Sequence, residues 1–508
     1  MIMNLMVSKQ CRVYFSLQNL VNLNILWLES SKDLIEIPDL SRATNLRKVY
    51  LFECESLCQL HPSIFSLPRL TYLCLGNCKK IESLKTNIHS KSLCVLLLDG
   101  CSSLMEFSVT SEEMTQLTLR GTAIRKLSSS IWRNCKLTSL DLTECNKLNI
   151  VEKKLSDDHG LGSVTELDLS GCTEIDASSL WSILDGIQSL KRLKLTECCN
   201  LESLPENIQN HSMLKWLDLD DCRKLASLTE LPPSLLYLKA VNCTYLDADS
   251  TQRSLLENMV QTFSKDPPYE EDDDFSFLPG AQVPCKFDFQ TIESSITISP
   301  IPKFGLRGFI FCIILSEGFH VYHHSLHCII FEHGKEVDRF RIVHEYTGTL
   351  ISDHLLICWH GYNILESGSN DCNLSFQFIL QGPNEELRWS TEGIKGCGVL
   401  PVYNLERGLD LDGGEIGKLK FSAEYPEGFD WPWENHNDEL QPRAFEGEVR
   451  SSNNENEDDQ KHSCCSIGMK LFTHFLIINS ILFLLRKSLI LQMNNCLKIL
   501  MILENICR

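Results

Sequence analysis

The chain has 508 residues, 43% of them apolar and 22% charged, and its formal net charge is −20. That length leaves room for two or three domains, and the apolar fraction supports a sizeable core. The acidic excess argues against nucleic acid as a direct partner, because a negative surface repels phosphate backbones.

Residues 1–16 read as a short lead-in, and from 17 to 263 one pattern recurs. It is Leu-x-x-Leu-x-Leu-x-x-Cys, clearest at Leu70, Leu73, Leu75, Cys78 and at Leu214, Leu217, Leu219, Cys222. The middle apolar residue of each unit falls at Leu26, Val49, Leu73, Leu96, Leu117, Leu140, Leu167, Leu193, Leu217 and Leu238. This spacing is that of one solenoid coil and predicts an α/β leucine-rich-repeat horseshoe of about ten repeats. Each coil contributes a short strand whose leucines are buried only by stacking on neighbouring coils. Prolines such as Pro62 and Pro205 suit the irregular convex side, since a residue without an N–H fits a sheet ladder poorly. The array is in register from Leu17 with no recognisable polar cap, which reads as the tail of a longer architecture or a truncated product.

The repeat register also names the outward residues of the concave side. Trp27, Tyr50, Phe52 and Tyr72 fall over the first coils, and Trp216 with Tyr237 over the last. Between them lie an acidic group (Asp141, Glu166, Asp168), a basic pair (Arg192, Lys194) and a second acidic pair (Asp218, Asp220). Aromatic anchors flanked by charge characterise protein-binding faces, so these residues are the expected binding surface, with Trp216 and Tyr237 its favoured anchors. The aromatic patch over the first coils fits packing against an upstream domain equally well.

Eight of the 24 cysteines (Cys54, Cys78, Cys101, Cys145, Cys172, Cys198, Cys222, Cys243) share one slot of the repeat and are therefore read as small buried hydrophobes. That usage points to a reducing compartment, cytoplasm or nucleus. Met1 to Val7 lacks the basic flank and apolar run of a signal peptide, and the sequons at Asn210, Asn242 and Asn373 are of a kind common by chance.

A helix-like stretch, Asp247 to Phe263, ends the array, and an acidic linker occupies 264–276. From 277 to 425 short runs rich in β-branched and aromatic residues recur, among them Phe309 to Leu315, Leu326 to Phe331, His354 to Trp359 and Leu374 to Leu380. Such runs without long helices between them predict an all-β sandwich. Residues 426–466 read as an acidic disordered linker, and 467–508 as a hydrophobic tail. Its longest uncharged run, Leu471 to Leu485, is short of the roughly 20 residues a spanning helix needs. The tail is read either as a membrane-associated helix beside an acylatable Cys464-Cys465 pair or as a non-native tail, which leaves membrane association open.

Signatures of catalysis are missing. The nearest approach to a phosphate loop, Gly413 to Lys418, has Asp412 where the first glycine belongs and Leu419 where the metal-binding hydroxyl belongs. His320, His323, His324 and His327 beside Cys328 suggest zinc ligands, but strand alternation separates them and no Cys-x-x-Cys accompanies them. Neither a Gly-x-Ser-x-Gly elbow nor a His-Glu-x-x-His helix occurs. The expectation is a non-catalytic chain with no cofactor and no metal.

Leu46 to Cys54, Leu93 to Cys101, the closing Leu231-Pro232-Pro233-Ser234-Leu235 and Leu278-Pro279-Gly280 resemble the C-terminal half of plant TIR-NBS-LRR disease-resistance proteins. Ser294 to Ile298, Ser352 to Leu356 and Lys395 to Val399 are similar to that family's jelly-roll/Ig-like post-repeat domain (C-JID), with Cys285-Lys286 departing from its usual aromatic. The resemblance implies an innate-immunity role in which repeats and β-domain recognise a pathogen effector or a guarded host protein. It further implies the TIR/NB-ARC signalling half of a receptor as a partner, because the NAD-cleaving and nucleotide-binding domains have no counterpart here. The alternatives are a leucine-rich-repeat substrate adaptor of the F-box type and a membrane-anchored receptor fragment.

Overall fold

The computed structural model describes residues 2–4, 20–151, 161–228, 230–265, 275–319, 325–343, 349–361, 371–381 and 389–404. The acidic runs, the phosphate-loop look-alike, the hydrophobic tail and His320, His323 and His324 lie outside them.

Beyond a flanking strand, Ile2–Asn4, which pairs parallel to the first of them, ten three-residue repeat strands stack in parallel among the described residues: β1 (Ile25–Trp27), β2 (Lys48–Tyr50), β3 (Tyr72–Cys74), β4 (Val95–Leu97), β5 (Gln116–Thr118), β6 (Ser139–Asp141), β7 (Glu166–Asp168), β8 (Arg192–Lys194), β9 (Trp216–Asp218) and β10 (Tyr237–Lys239). Their middle residues pair directly, Leu26 with Val49 and so on to Leu217 with Leu238. None of those residues is more than 1% exposed, because each coil seals the apolar row of the one before it. Among the described residues the return legs include 3-10 turns at Pro62–Ser66, Ser129–Arg133 and Glu206–Asn210, the helix α1 (Ala177–Leu184), and two-residue parallel pairs such as Glu36–Ile37 with Gln59–Leu60. Asp176 caps α1 by accepting the Ser179 N–H at 2.8 Å, satisfying one of the orphan donors of a helix start.

Two ladders bind coil to coil beside the strands. The residue before the cysteine slot has φ between 56° and 72° in every coil: Ser30, Glu53, Asn77, Gly100, Gly121, Glu144, Gly171, Glu197, Asp221 and Asn242. This left-handed turn aims its N–H along the solenoid axis, so Ser30 donates to the Phe52 carbonyl, Glu53 to Gly76, and likewise on to Asp221 and Val241. The slot itself runs the opposite way. Each of the eight cysteine thiols donates to a leucine carbonyl of the preceding coil, at 3.0 to 3.3 Å. Burial pushes the thiols of Cys101, Cys198 and Cys243 up to about 12, so they remain protonated donors.

After helix α2 (Ala248–Phe263), strand β11 (Phe275–Pro279) joins the concave sheet parallel to β10, with Lys239 opposite Phe277. It then pairs antiparallel into a second module made of β12 (Phe289–Thr291), β13 (Ser295–Pro302), β14 (Leu306–Leu315), β15 (Ser325–Glu332), β16 (Lys335–Val343), β17 (His354–Gly361), β18 (Asp371–Gln381), β19 (Trp389–Ser390) and β20 (Ile394–Tyr403). One sheet runs β11-β17-β14-β20-β12 and the other β13-β18-β15-β16, with β19 paired to β18. Phe309, Phe311 and Ile313 of β14 face the second sheet, where Phe376 lies 5.0 Å from Phe309 and 5.2 Å from Phe311. The alternate residues Ile310, Cys312 and Ile314 join the solenoid core, to which α2 contributes Met259 and Phe263. Burial on both faces explains why β14 reads as an unbroken apolar run rather than an alternating one.

Strand β11 occupies the place of an eleventh coil. The Ala240 N–H donates to the Phe277 carbonyl at 2.7 Å, as the Leu219 N–H donates to Lys239 one coil earlier at 2.7 Å. For the Asn242 N–H, last of the left-handed series, the acceptor is not a carbonyl: it is His354 Nε2, at 3.0 Å.

Candidate functional site

The sheet twist and the parallel register line up the expected concave residues in three regions of different character. Over β1 to β3, Trp27 stacks on Tyr50 with centroids 4.5 Å apart and Tyr50 continues to Tyr72 at 5.1 Å. Trp27 is 38% exposed, and its Nε1–H donates to Glu29 at 2.8 Å. Phe52 is half-buried against Gly76, where an added Cβ would stand 2.8 Å from the ring. Burial raises the Tyr50 and Tyr72 phenols above their ordinary value, so both stay neutral hydrogen-bonding groups.

The middle coils form a concavity of about 180 Å³ lined by Ser139, Asp141, Glu166, Asp168, Arg192 and Lys194 together with Leu140 and Leu167. Five of the expected site residues therefore converge here. Asp141 accepts the Thr143 N–H and hydroxyl at 2.8 and 2.6 Å, Asp168 the Ser170 N–H at 3.0 Å, and Asp218 the Asp220 N–H at 3.1 Å. The same turn hydrogen bond thus fixes three carboxylates in one column, and their orientation costs no further ordering on binding. Lys194 Nζ lies 3.6 Å from Asp168, so an ion pair joins the acidic and basic walls while Glu166 stands exposed beside them.

The last coils correct the sequence expectation. Trp216 is 7% exposed, Tyr237 5% and Asp220 7%, so none of the three belongs to an open surface. Trp216 lies between the Arg192 guanidinium at 4.9 Å and the Lys239 ammonium at 5.0 Å, and packs on Tyr237 at 5.5 Å. Lys239 is held in turn over Phe275 of β11, 4.4 Å from the ring centre, so the second module covers this end. Asp220 accepts the Val241 N–H at 2.7 Å, and burial, followed by the nearby Asp218, pushes its carboxyl well above the usual range. Lys239 is the participant missing from the sequence-derived set: its column position was legible, but its covering role depends on β11.

Two further expectations concern the described residues only in part. His327 Nε2 contacts the Ser325 hydroxyl at 2.8 Å, while Cys328 is fully buried in the β-module core. Among the described residues no group of three or more His, Cys, Asp or Glu side chains is arranged to hold a metal. Nor is any helix among them long and apolar enough to cross a membrane. Lys286, at the departure from the family pattern, reaches Glu257 of α2 at 3.3 Å, and Cys285 is exposed.

Stacked coils with an inward leucine row and a charged, aromatic-bearing concave sheet define a leucine-rich-repeat protein. Its homologues are plant TIR-NBS-LRR disease-resistance proteins. The chain is 34% identical to Protein SUPPRESSOR OF npr1-1, CONSTITUTIVE 1 of Arabidopsis thaliana over 223 residues, covering 40% of this chain and 15% of that protein. It is 34% identical to Disease resistance protein RPP4 over 212 residues (42% and 18%), and 28% identical to Disease resistance protein RPP5 over 474 residues (79% and 31%), both from the same plant. The chain therefore spans less than a third of the length of these relatives. No family model matches it. The solved leucine-rich repeat domain of the type III effector XopL aligns at 24% identity over 42% of this chain and 74% of that one, with a TM-score of 0.30.

Proposed function

We propose that this chain is the protein-recognition part of an intracellular plant immune receptor and that its concave face senses a pathogen effector or a guarded host protein. The convergence of Asp141, Glu166, Asp168, Arg192 and Lys194 in one concavity, with the Trp27–Tyr50–Tyr72 stack on the same sheet, supports this reading. Preset carboxylates provide specificity, and an exposed aromatic stack provides area that a partner can desolvate. The second module, 277–425 in this reading, is a C-JID-type jelly-roll/Ig-like domain that extends the same sheet. Free thiols that serve as hydrogen-bond donors in eight of the ten slots support function in the cytoplasm or nucleus; an Asn242 only 4% exposed leaves no room for a glycan there. Signalling falls to a TIR/NB-ARC half, in the same or another polypeptide.

Co-immunoprecipitation in leaf tissue against a panel of tagged effectors, with the Trp27→Ala/Tyr50→Ala and Asp141→Asn/Glu166→Gln pairs, tests the face. The substitution Met213→Ser, at an exposed residue in the turn before β9, is the control. Capture should fall at least tenfold in both concave pairs and stay unchanged in the control. Loss in the control with full capture by the concave pairs would sink the assignment.

A further inference from the structure

The ladder of left-handed amides ends on a titratable atom. Nine of these N–H groups, Ser30 through Asp221, donate to a carbonyl of the following coil. A carbonyl has no proton chemistry near neutrality, so those rungs are indifferent to pH. The tenth, Asn242 N–H, donates to His354 Nε2 at 3.0 Å. His354 Nδ1 lies 2.8 Å from the Ser352 carbonyl, an acceptor only. The two partners fix the tautomer: Nδ1 carries the proton and Nε2 offers its lone pair. A second proton would set N–H against N–H inside a side chain that is 0% exposed, and no rotation restores both bonds.

The rest of the junction hangs on the same two segments. Asn242 Nδ2 donates to the Thr349 carbonyl at 3.2 Å, Asn242 Oδ1 accepts the Ile351 N–H at 3.0 Å, and the Phe277 ring meets the imidazole edge-on at 5.6 Å. We propose that His354 is a proton-sensitive latch that stands in for the carbonyl of a missing eleventh coil, so that acidification uncouples the second module from the end of the repeat array. Loss of the latch exposes the apolar end of the solenoid and frees Lys239 from Phe275, opening the covered part of the concave sheet.

The charged groups around the latch do not duplicate it. Asp353 is neutralised by Lys395 at 2.7 Å and accepts the N–H of Glu317; on the solenoid side, Asp221 pairs with Arg223 at 3.2 Å. Asp220, whose carboxyl is raised by burial, titrates in the opposite sense and tightens the junction as pH falls. Burial lowers the His354 imidazole below its ordinary value, so the unfolded or opened form binds the proton first and latch stability is lost as pH drops below about 6.5.

Hydrogen exchange read by mass spectrometry on peptides spanning 237–246 and 350–358, at pH 7.5 and 5.5 with intrinsic rates corrected, tests this on the full chain. Local opening should rise about tenfold at pH 5.5 in the wild type. It should not rise in His354→Gln, whose amide oxygen accepts without titrating. In His354→Phe it should already be raised at pH 7.5. Wild-type protection that is equal at the two pH values overturns the proposal, whether or not a variant folds. So does a His354→Gln chain that opens as much as the wild type on acidification.

Discussion

The two aromatic clusters lie on one concave sheet, in neighbouring columns, and have opposite fates: Trp27 and Tyr50 follow the inward residue of their strands, Trp216 and Tyr237 precede it. Trp27, Tyr50 and Tyr72 line up over β1 to β3 with the indole more than a third exposed, while Trp216 and Tyr237 over β9 and β10 are almost completely covered. Their local sequences share an aromatic beside an inward aliphatic residue on a three-residue strand. The difference lies in what comes next. Coil follows coil after Trp27, whereas a strand from another module follows Tyr237 and brings Phe275 and its Lys239 partner across the face. A column position therefore fixes the direction of a side chain, and the neighbouring module decides whether solvent reaches it.

The comparison breaks first on stability. Trp216→Ala should cost about 3 kcal/mol, the range for emptying a buried indole site, and Trp27→Ala less than about 1 kcal/mol, both read from urea unfolding of the purified chain. Equal costs would mean that the two clusters are equally covered in solution. A smaller effect is expected at the acids. Asp220→Asn keeps an acceptor for the Val241 N–H and removes a buried charge, so it should stabilise at pH 7 by on the order of 1 kcal/mol. Because the folded carboxyl is raised, the wild type loses stability as pH climbs above its unfolded value near 4. The gain of the variant should accordingly shrink on acidification, and a constant gain from pH 4 to 7 would contradict the burial argument. Asp141→Asn, in the open concavity, keeps an acceptor for the Thr143 N–H and should shift the unfolding midpoint at pH 7 less than Asp220→Asn does.

A third, smaller contrast should vanish altogether. Every coil turns through the left-handed region, so Glu197→Gly and Glu53→Gly should each stabilise by roughly 0.5 kcal/mol, whether the coil lies near the open or the covered end. Glu53 also accepts the Ser30 hydroxyl at 3.1 Å, which makes its gain the smaller of the two. The least effect is expected for Lys194→Ala, whose exposed pairing with Asp168 is worth only a few tenths of a kcal/mol and fades in high salt.

Much of the solenoid was legible before any coordinate. The leucine spacing gave the inward row, since a residue pattern repeated at coil length has one way to bury itself. The cysteine slot gave a small buried side chain, although not that its thiol donates backward along the axis. The middle of the site was legible for the same reason: Asp141, Glu166, Asp168, Arg192 and Lys194 lie on consecutive strands, and parallel register alone brings them together. At the last coils the same reasoning misled, because β11 begins at Phe275, inside the stretch read as a linker, and no periodicity within the repeats announces it.

The sequence by itself therefore determined what is local and periodic: coil length, the inward leucines, the cysteine slot and the direction of each concave side chain. These follow from period-two alternation on a strand and from the requirement that each coil bury its neighbour's apolar row. Only the tertiary structure decided how the array ends. Lys239 pairs with Phe277, Trp216 disappears under Lys239, and the final amide finds His354 of a strand more than a hundred residues away. The end of a solenoid leaves backbone donors that must be satisfied by something non-periodic, and a repeat carries no information about what that is.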